Sequence, residues 1–244
     1  MIRFDSDRGA AFEPFDLKLT GSPKKCLMIF DDEIWDDYVL PDEALTTFPV
    51  SNAYGRVFGT YRYIAVDGEN VLLVCPTTGS AGAACDMELL IKSGIEKIVA
   101  FGTCGRLDHD IAQNTIIVPT AACREEGVSY HYLPDSDEIS VDEAMQQTAN
   151  EVFSGAELAF MNGKIWTTDA IYRETIGKIA MMRERGCVGV EMELSALLAV
   201  AKYRGIKFFE FLIGDDAVGF RSNNSLERNN EKIFNAALEI LKRI

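Results

Sequence analysis

Apolar positions along the chain fall into short runs separated by polar and glycine-rich punctuation. The run KCLMIF (25–30) is apolar on successive residues, the pattern of a strand covered on both faces. RVFGTYRYIAV (56–66) and NVLLVC (70–75) flank Asp67-Gly68, whose turn chemistry predicts a hairpin. Residues 81–93 carry helical spacing, KIVAF (97–101) is a second buried strand, and 115–118 is a third. Farther on, 141–153 reads as a helix, 158–167 as a strand and 173–183 as a helix. The strand 188–190 then opens a helix apolar on nearly every side, followed by a strand at 207–213. An amphipathic helix begins near Leu226, for which Asn224 and Glu227 form a candidate capping box. Strands alternating with helices predict an α/β fold: a central mixed, mostly parallel twisted sheet flanked by helices. With no repeat, linker or low-complexity tract, 1–244 reads as one domain, with 1–22 an N-terminal extension.

Composition narrows the function classes. The 244 residues carry a formal charge of -14, so the summed field disfavours nucleic acid and anionic membranes as partners. It is equally adverse to an anionic substrate, whose site would need local backbone N–H groups, a helix N-terminus or arginines. Six cysteines (26, 75, 85, 104, 123 and 187) form no CxxC pair and only two histidines occur, so reduced core thiols are expected and no metal site. The charged N-terminus lacks a signal-peptide pattern and no apolar run reaches membrane-spanning length, so a soluble, cytoplasmic protein is expected.

Ligands of such sheets gather at the carboxyl ends of strands. Three strand ends carry small residues: PTTGSAGAA after VLLVC, GTCGRL after KIVAF, and GDDAVG after FFEFLI. The first two read as turns where backbone N–H groups approach an oxyanion. Asp215 and Asp216, ending a hydrophobic strand, suit general-acid work or an ordinary Asx turn. In GVEMELSALLAVAKYRG a helix start explains one of Glu191 and Glu193, because the macrodipole favours an acid there. It does not explain both, since i and i+2 point to different faces; one must enter the interior or a cleft and find a partner there. Adjacent sugar hydroxyls would supply it.

VEMELSALLAVAKYRG resembles the ribose-binding signature of the nucleoside phosphorylase superfamily, the branch of uridine phosphorylases, hexameric purine nucleoside phosphorylases and methylthioadenosine nucleosidases. KIVAFGTCGRL, REEGVSYHYLP, WTTDAIYRET and GDDAVG are similar to further family segments, so the likeness covers roughly 71–219. It implies that Met192, Glu193 and Glu191 bind ribose, that Thr103 contacts phosphate or ribose, and that Arg56 reaches phosphate from a neighbouring subunit; Arg106 and Arg173 are substitutes for the family's other phosphate-binding arginines. Cys104, Gly105, Ile171, Tyr172 and Arg173 would border the base. Asp216 would protonate a purine N7, with Asp215 where the family has serine, so the two can exchange roles. The implied activity is N-glycosidic cleavage of a purine nucleoside or uridine by phosphate, giving free base and ribose 1-phosphate. No cofactor is implied beyond phosphate as co-substrate, and the implied assembly is a homo-oligomer, a dimer or trimer of dimers.

The sequence departs from the family at the phosphate side. The Gly-Asp-Pro-x-Arg loop of phosphorolytic members is FDDEIWD (30–36) here, and the arginine two residues before their Gly-Thr/Ser is Ala100. Two alternatives follow: a nucleosidase in which Asp31, Asp32 or Glu33 activates water, Glu33 foremost, or a silent nucleoside-binding paralogue. His131 reads as a pocket-wall or structural residue and His109 as a surface one.

Overall fold

The computed structural model describes residues 4–7, 9–39, 48–51, 57–218 and 227–244. Arg56, Gly219 and Asn224 lie outside them. The elements run β1 (Lys25–Phe30), a helical turn α1 (Asp32–Ile34), β2 (Phe48–Ser51), β3 (Val57–Val66), β4 (Glu69–Cys75) and α2 (Ser80–Lys92). Next come β5 (Lys97–Arg106), β6 (Ile116–Glu125), the short α3 (Ser129–Tyr132), β7 (Glu138–Ser140), α4 (Glu143–Gly155) and β8 (Phe160–Thr168). The chain ends with α5 (Ile176–Glu184), β9 (Cys187–Glu191), α6 (Leu194–Arg204), β10 (Lys207–Ala217) and α7 (Asn230–Arg243).

Local chemistry accounts for these boundaries. Asp67 and Gly68 both adopt positive φ (52° and 81°), as the tight β3–β4 turn requires. Asp142 caps α4 through the N–H groups of Ala144 and Met145, and Gly205 closes α6 in the left-handed conformation. Helix α7 starts later than its apolar pattern predicts. Its cap is Asn229, whose side chain accepts from the Lys232 N–H, so Glu227 precedes the helix instead of completing a box.

The larger revision concerns the glycine-rich strand ends. GTCGR, expected as a turn, forms the last residues of β5, and GDDA likewise ends β10, because each has a strand beside it to continue the ladder. Strands β5 and β10 pair in parallel from Lys97↔Lys207, β10 pairs antiparallel with β6, β6 and β9 flank β8 in parallel, and β9 returns antiparallel to β5. These pairings close a circuit of five strands, and β1, β4, β3 and β2 extend the sheet from β5. The short β2 and β7 were not legible in the apolar pattern. A continuous core runs beneath, and α6 is buried at every position from Leu194 to Ala201, which explains its unbroken apolar sequence.

Candidate active site

Closing the circuit brings the ends of β5, β9 and β10 together. Pairing of β5 with β10 holds to Cys104↔Gly214 and resumes at Arg106↔Ala217, so Asp215 and Asp216 stand opposite Gly105 alone. This is a β-bulge, a device that bends a strand and re-aims its side chains. Gly105 pairs on its other side with Val190 of β9. A Cβ at Gly105 would lie 2.8 Å from Val218 and 3.1 Å from Val190, so only glycine lets the three strand ends meet.

The two glutamates of VEME do separate jobs there. Glu191 is turned into the protein: its Oε1 accepts from the Thr167 hydroxyl at 2.5 Å, and its Oε2 accepts from the N–H groups of Glu193 (2.5 Å) and Leu194 (2.7 Å). It thereby satisfies N–H groups that the start of α6 would leave orphaned. Glu193, the residue before α6, reaches instead across the cleft mouth, where its Oε1 accepts from the Gly79 N–H at 2.5 Å. Gly79 has φ 93°, a conformation glycine adopts without strain. The oxyanion this glycine turn receives is thus the protein's own carboxylate. Ser80 braces the same junction by donating to the Met192 carbonyl at 2.6 Å.

Burial drives the electrostatics of this region. Desolvation, and next the charge of Glu193, push Glu191 up to about 8, against the pull of its donors. Desolvation likewise raises Glu193, opposed by the Gly79 and Met192 N–H groups. A third carboxyl, Glu210 of β10, lies in register with Ala100 and is 2% exposed, with no hydrogen bond to its Oε2. Burial raises it well above the usual range, and Glu191 and Glu193 add to that.

A cleft of about 650 Å³ opens above these strand ends. Glu191, Met192 and Glu193 line it together with Cys104, Gly105, Asp215, Asp216 and Val218. The turn Ile171–Arg173 supplies the lip: Ile171 is 52% and Tyr172 95% exposed, both bordering the cleft. An adjoining cavity of about 480 Å³ shares Phe30, Thr103 and Asp215 with the first. Asp31, Asp32, Glu33 and Asp37 line it, together with Arg228.

Arg228, which no sequence pattern singles out, holds the β1 loop. Its guanidinium grips both oxygens of Asp31 (2.8 and 2.9 Å) and Glu33 Oε2 (2.8 Å). Arg106 does not line either cavity; it donates to the backbone carbonyls of Asp215 and Ile111, which ties down the bulge. Arg173 also lies outside both linings. Asp215 accepts from the Gln113 side-chain amide at 3.3 Å, and Asp216 sits beside it, half-buried. His109 is exposed, and His131 is an exposed residue of α3 that borders neither cavity. Among the described residues no cluster of His, Cys, Asp or Glu could hold a metal, and no helix is long and apolar enough to cross a membrane.

Comparison with known proteins bears on what this cleft belongs to. A purine nucleoside phosphorylase of the DeoD type from Haemophilus ducreyi is 26% identical over 198 residues, 78% of each chain. The DeoD-type protein of Actinobacillus succinogenes is 26% identical over 154 residues, 63% of this chain and 64% of its own, so that match spans under two thirds of the relative. Among solved structures, a purine nucleoside phosphorylase from Toxoplasma gondii in complex with immucillin-H superposes with TM-score 0.72 at 20% identity, covering 97% of this chain and 94% of that one. AMP nucleosidase from Bacteroides thetaiotaomicron gives 0.71 at 20% (91% and 88%). The 5′-methylthioadenosine/S-adenosyl homocysteine nucleosidase of Campylobacter jejuni gives 0.70 at 18% (90% and 97%). These three share the fold. The family model of the phosphorylase superfamily matches residues 32–244, and the chain belongs to that superfamily.

Proposed function

We propose that this protein cleaves the N-glycosidic bond of a purine nucleoside and that water, not phosphate, takes the sugar. Glu193 faces the cleft with a carboxylate suited to adjacent ribose hydroxyls, and Met192 lies beside it. As the bond breaks, positive charge grows on the sugar and negative charge on the departing base. The carboxylate end of the cleft stabilises the first, and an acid at the bulge, Asp216 with Asp215 as its alternate, neutralises the second. The DeoD-type relatives are named for purine nucleosides, which supports that base class.

The observation that carries the choice of water is the charge of the adjoining cavity. Asp31, Asp32, Glu33, Asp37 and Asp215 line it, and the charge of Arg228 is already met by Asp31 and Glu33. A phosphate dianion placed there would meet like charges, each costing about 4 kcal/mol at ~4 Å and an effective dielectric of ~20. Neutral water meets no such barrier. Asp31 is spent as a base, because its oxygens serve the Ile34 N–H and Arg228. Asp32 remains to activate water, and Glu33, which Arg228 holds through Oε2, is the second candidate through Oε1.

Phosphorolysis is the second reading, favoured by the names of the DeoD-type relatives; it would draw on Thr103 and on Arg56 from a neighbouring subunit of a homo-oligomer. Chromatography of inosine, adenosine, guanosine and uridine incubated with and without phosphate separates the two. Free base and free ribose at equal rates in both are expected. Ribose 1-phosphate formed only with phosphate would overturn the hydrolytic reading.

A further inference from the structure

Thr167 is a fully buried hydroxyl that no part of the reaction above uses. It stands at the end of β8 in register with Glu191 of β9. Its Oγ1 donates to Glu191 Oε1 at 2.5 Å and accepts from the Ser195 N–H at 3.1 Å. Ser195 donates its own hydroxyl to Glu126 Oε1 at 2.8 Å, and Glu126 Oε2 takes the N–H groups of Val128 and Ser129. Each donor in this buried chain has one acceptor. Glu191 in turn holds the backbone N–H of Glu193, so the direction in which Glu193 leaves the backbone is set two hydrogen bonds back, at Thr167.

The same threonine begins the segment that ends in the lip. Thr168 accepts from the Ala170 N–H at 3.3 Å, and Asp169 accepts from the Gly127 N–H at 2.9 Å, which fixes the path to Ile171 and Tyr172. Thr167 therefore sits at the joint between the sugar-facing carboxylate and the base-facing turn. Resting on the reading that Glu193 takes the ribose hydroxyls, we propose that Thr167 is a positioning residue: acting through Glu191, it fixes the aim of Glu193 and so gives the cleft its preference for ribose over 2′-deoxyribose. A carboxylate aimed at two neighbouring hydroxyls tolerates little displacement, whereas a sugar with one hydroxyl makes less use of that aim.

The test compares Thr167→Val, which keeps the shape and removes the hydroxyl, with Thr167→Ser, which keeps the hydroxyl. Substrates are inosine and 2′-deoxyinosine, then adenosine and 2′-deoxyadenosine. For Thr167→Val, kcat/KM on the ribonucleoside should fall roughly tenfold to hundredfold, as when buried hydrogen-bonding groups are left unpaired, mainly through KM; the deoxynucleoside should lose less than about threefold. Thr167→Ser should restore the wild-type ratio, and its thermal midpoint shows whether the fold is kept. Equal losses on both sugars, or a Thr167→Ser variant that keeps its fold without regaining the ratio, would overturn the proposal. If the wild type turns over neither nucleoside, the cleavage reading fails by itself, and calorimetric binding of the same pairs then reads the positioning. Wild-type binding that does not distinguish ribose from deoxyribose would also sink it.

Discussion

At Glu193 a raised carboxyl, the N–H groups of Gly79 and Met192 and an open cleft meet in one side chain. The charge of this group is its useful property, and a substitution can remove the charge without removing the acceptor. Glu193→Gln keeps an amide oxygen for Gly79 but gives the sugar a neutral partner, so nucleoside affinity should fall roughly tenfold, the difference between charged and neutral hydrogen bonds to two hydroxyls. Glu193→Ala should abolish measurable binding by calorimetry with the fold intact by circular dichroism. Full binding by the alanine variant would refute the ribose assignment. At this scale the sequence was informative because two acids at i and i+2 beside an apolar helix demand two explanations. It was silent on Arg228, whose surroundings in LERNNEK look like any solvated helix start. Glu210 did leave a trace, as the one charge within FFEFLI.

Between residue and fold, Glu191 makes a turn of helix possible. Helix α6 begins inside the protein, so the N–H groups of Glu193 and Leu194 cannot turn to water, and one carboxylate oxygen serves both. Glu191→Ala would strand these two donors and the Thr167 hydroxyl, each costing about 1–3 kcal/mol when left unpaired. We expect a thermal midpoint lower by roughly 10 °C or more, from ~4–8 °C per kcal/mol in small domains and about half that at this size. A midpoint unchanged in calorimetry would mean that the cap is supplied by other groups. Element positions were legible wherever an apolar run marked them, as at β1, β4 and α6. Their ends were not, since GTCGR and GDDA lack side-chain patterns and become strand only because neighbours distant in sequence pair with them.

Over the whole molecule, that non-local closure is what stacks three glutamates in one interior. Circuit pairing places Glu210 of β10 where Glu191 and Glu193 act on it, a juxtaposition no local pattern could reveal. Its consequence is a pH dependence with a definite sign. All three carboxyls are raised in the folded state, from an ordinary value of 4.5. Below that value both states hold the protons and the groups leave stability unchanged. As pH rises, the unfolded chain releases its protons first, so the folded state binds more of them and stability falls, continuing until the folded-state groups ionise, about pH 8 for Glu191. The thermal midpoint should therefore decline between pH 5.5 and 8.5. Glu210→Gln keeps the side-chain shape and cannot ionise, so its midpoint should lie closest to the wild type near pH 4 and exceed it by a margin that grows from pH 5.5 to pH 8.5. Parallel curves for the two proteins across that range would show that Glu210 carries no share of the dependence. A variant destabilised equally at every pH would assign Glu210 a packing role instead.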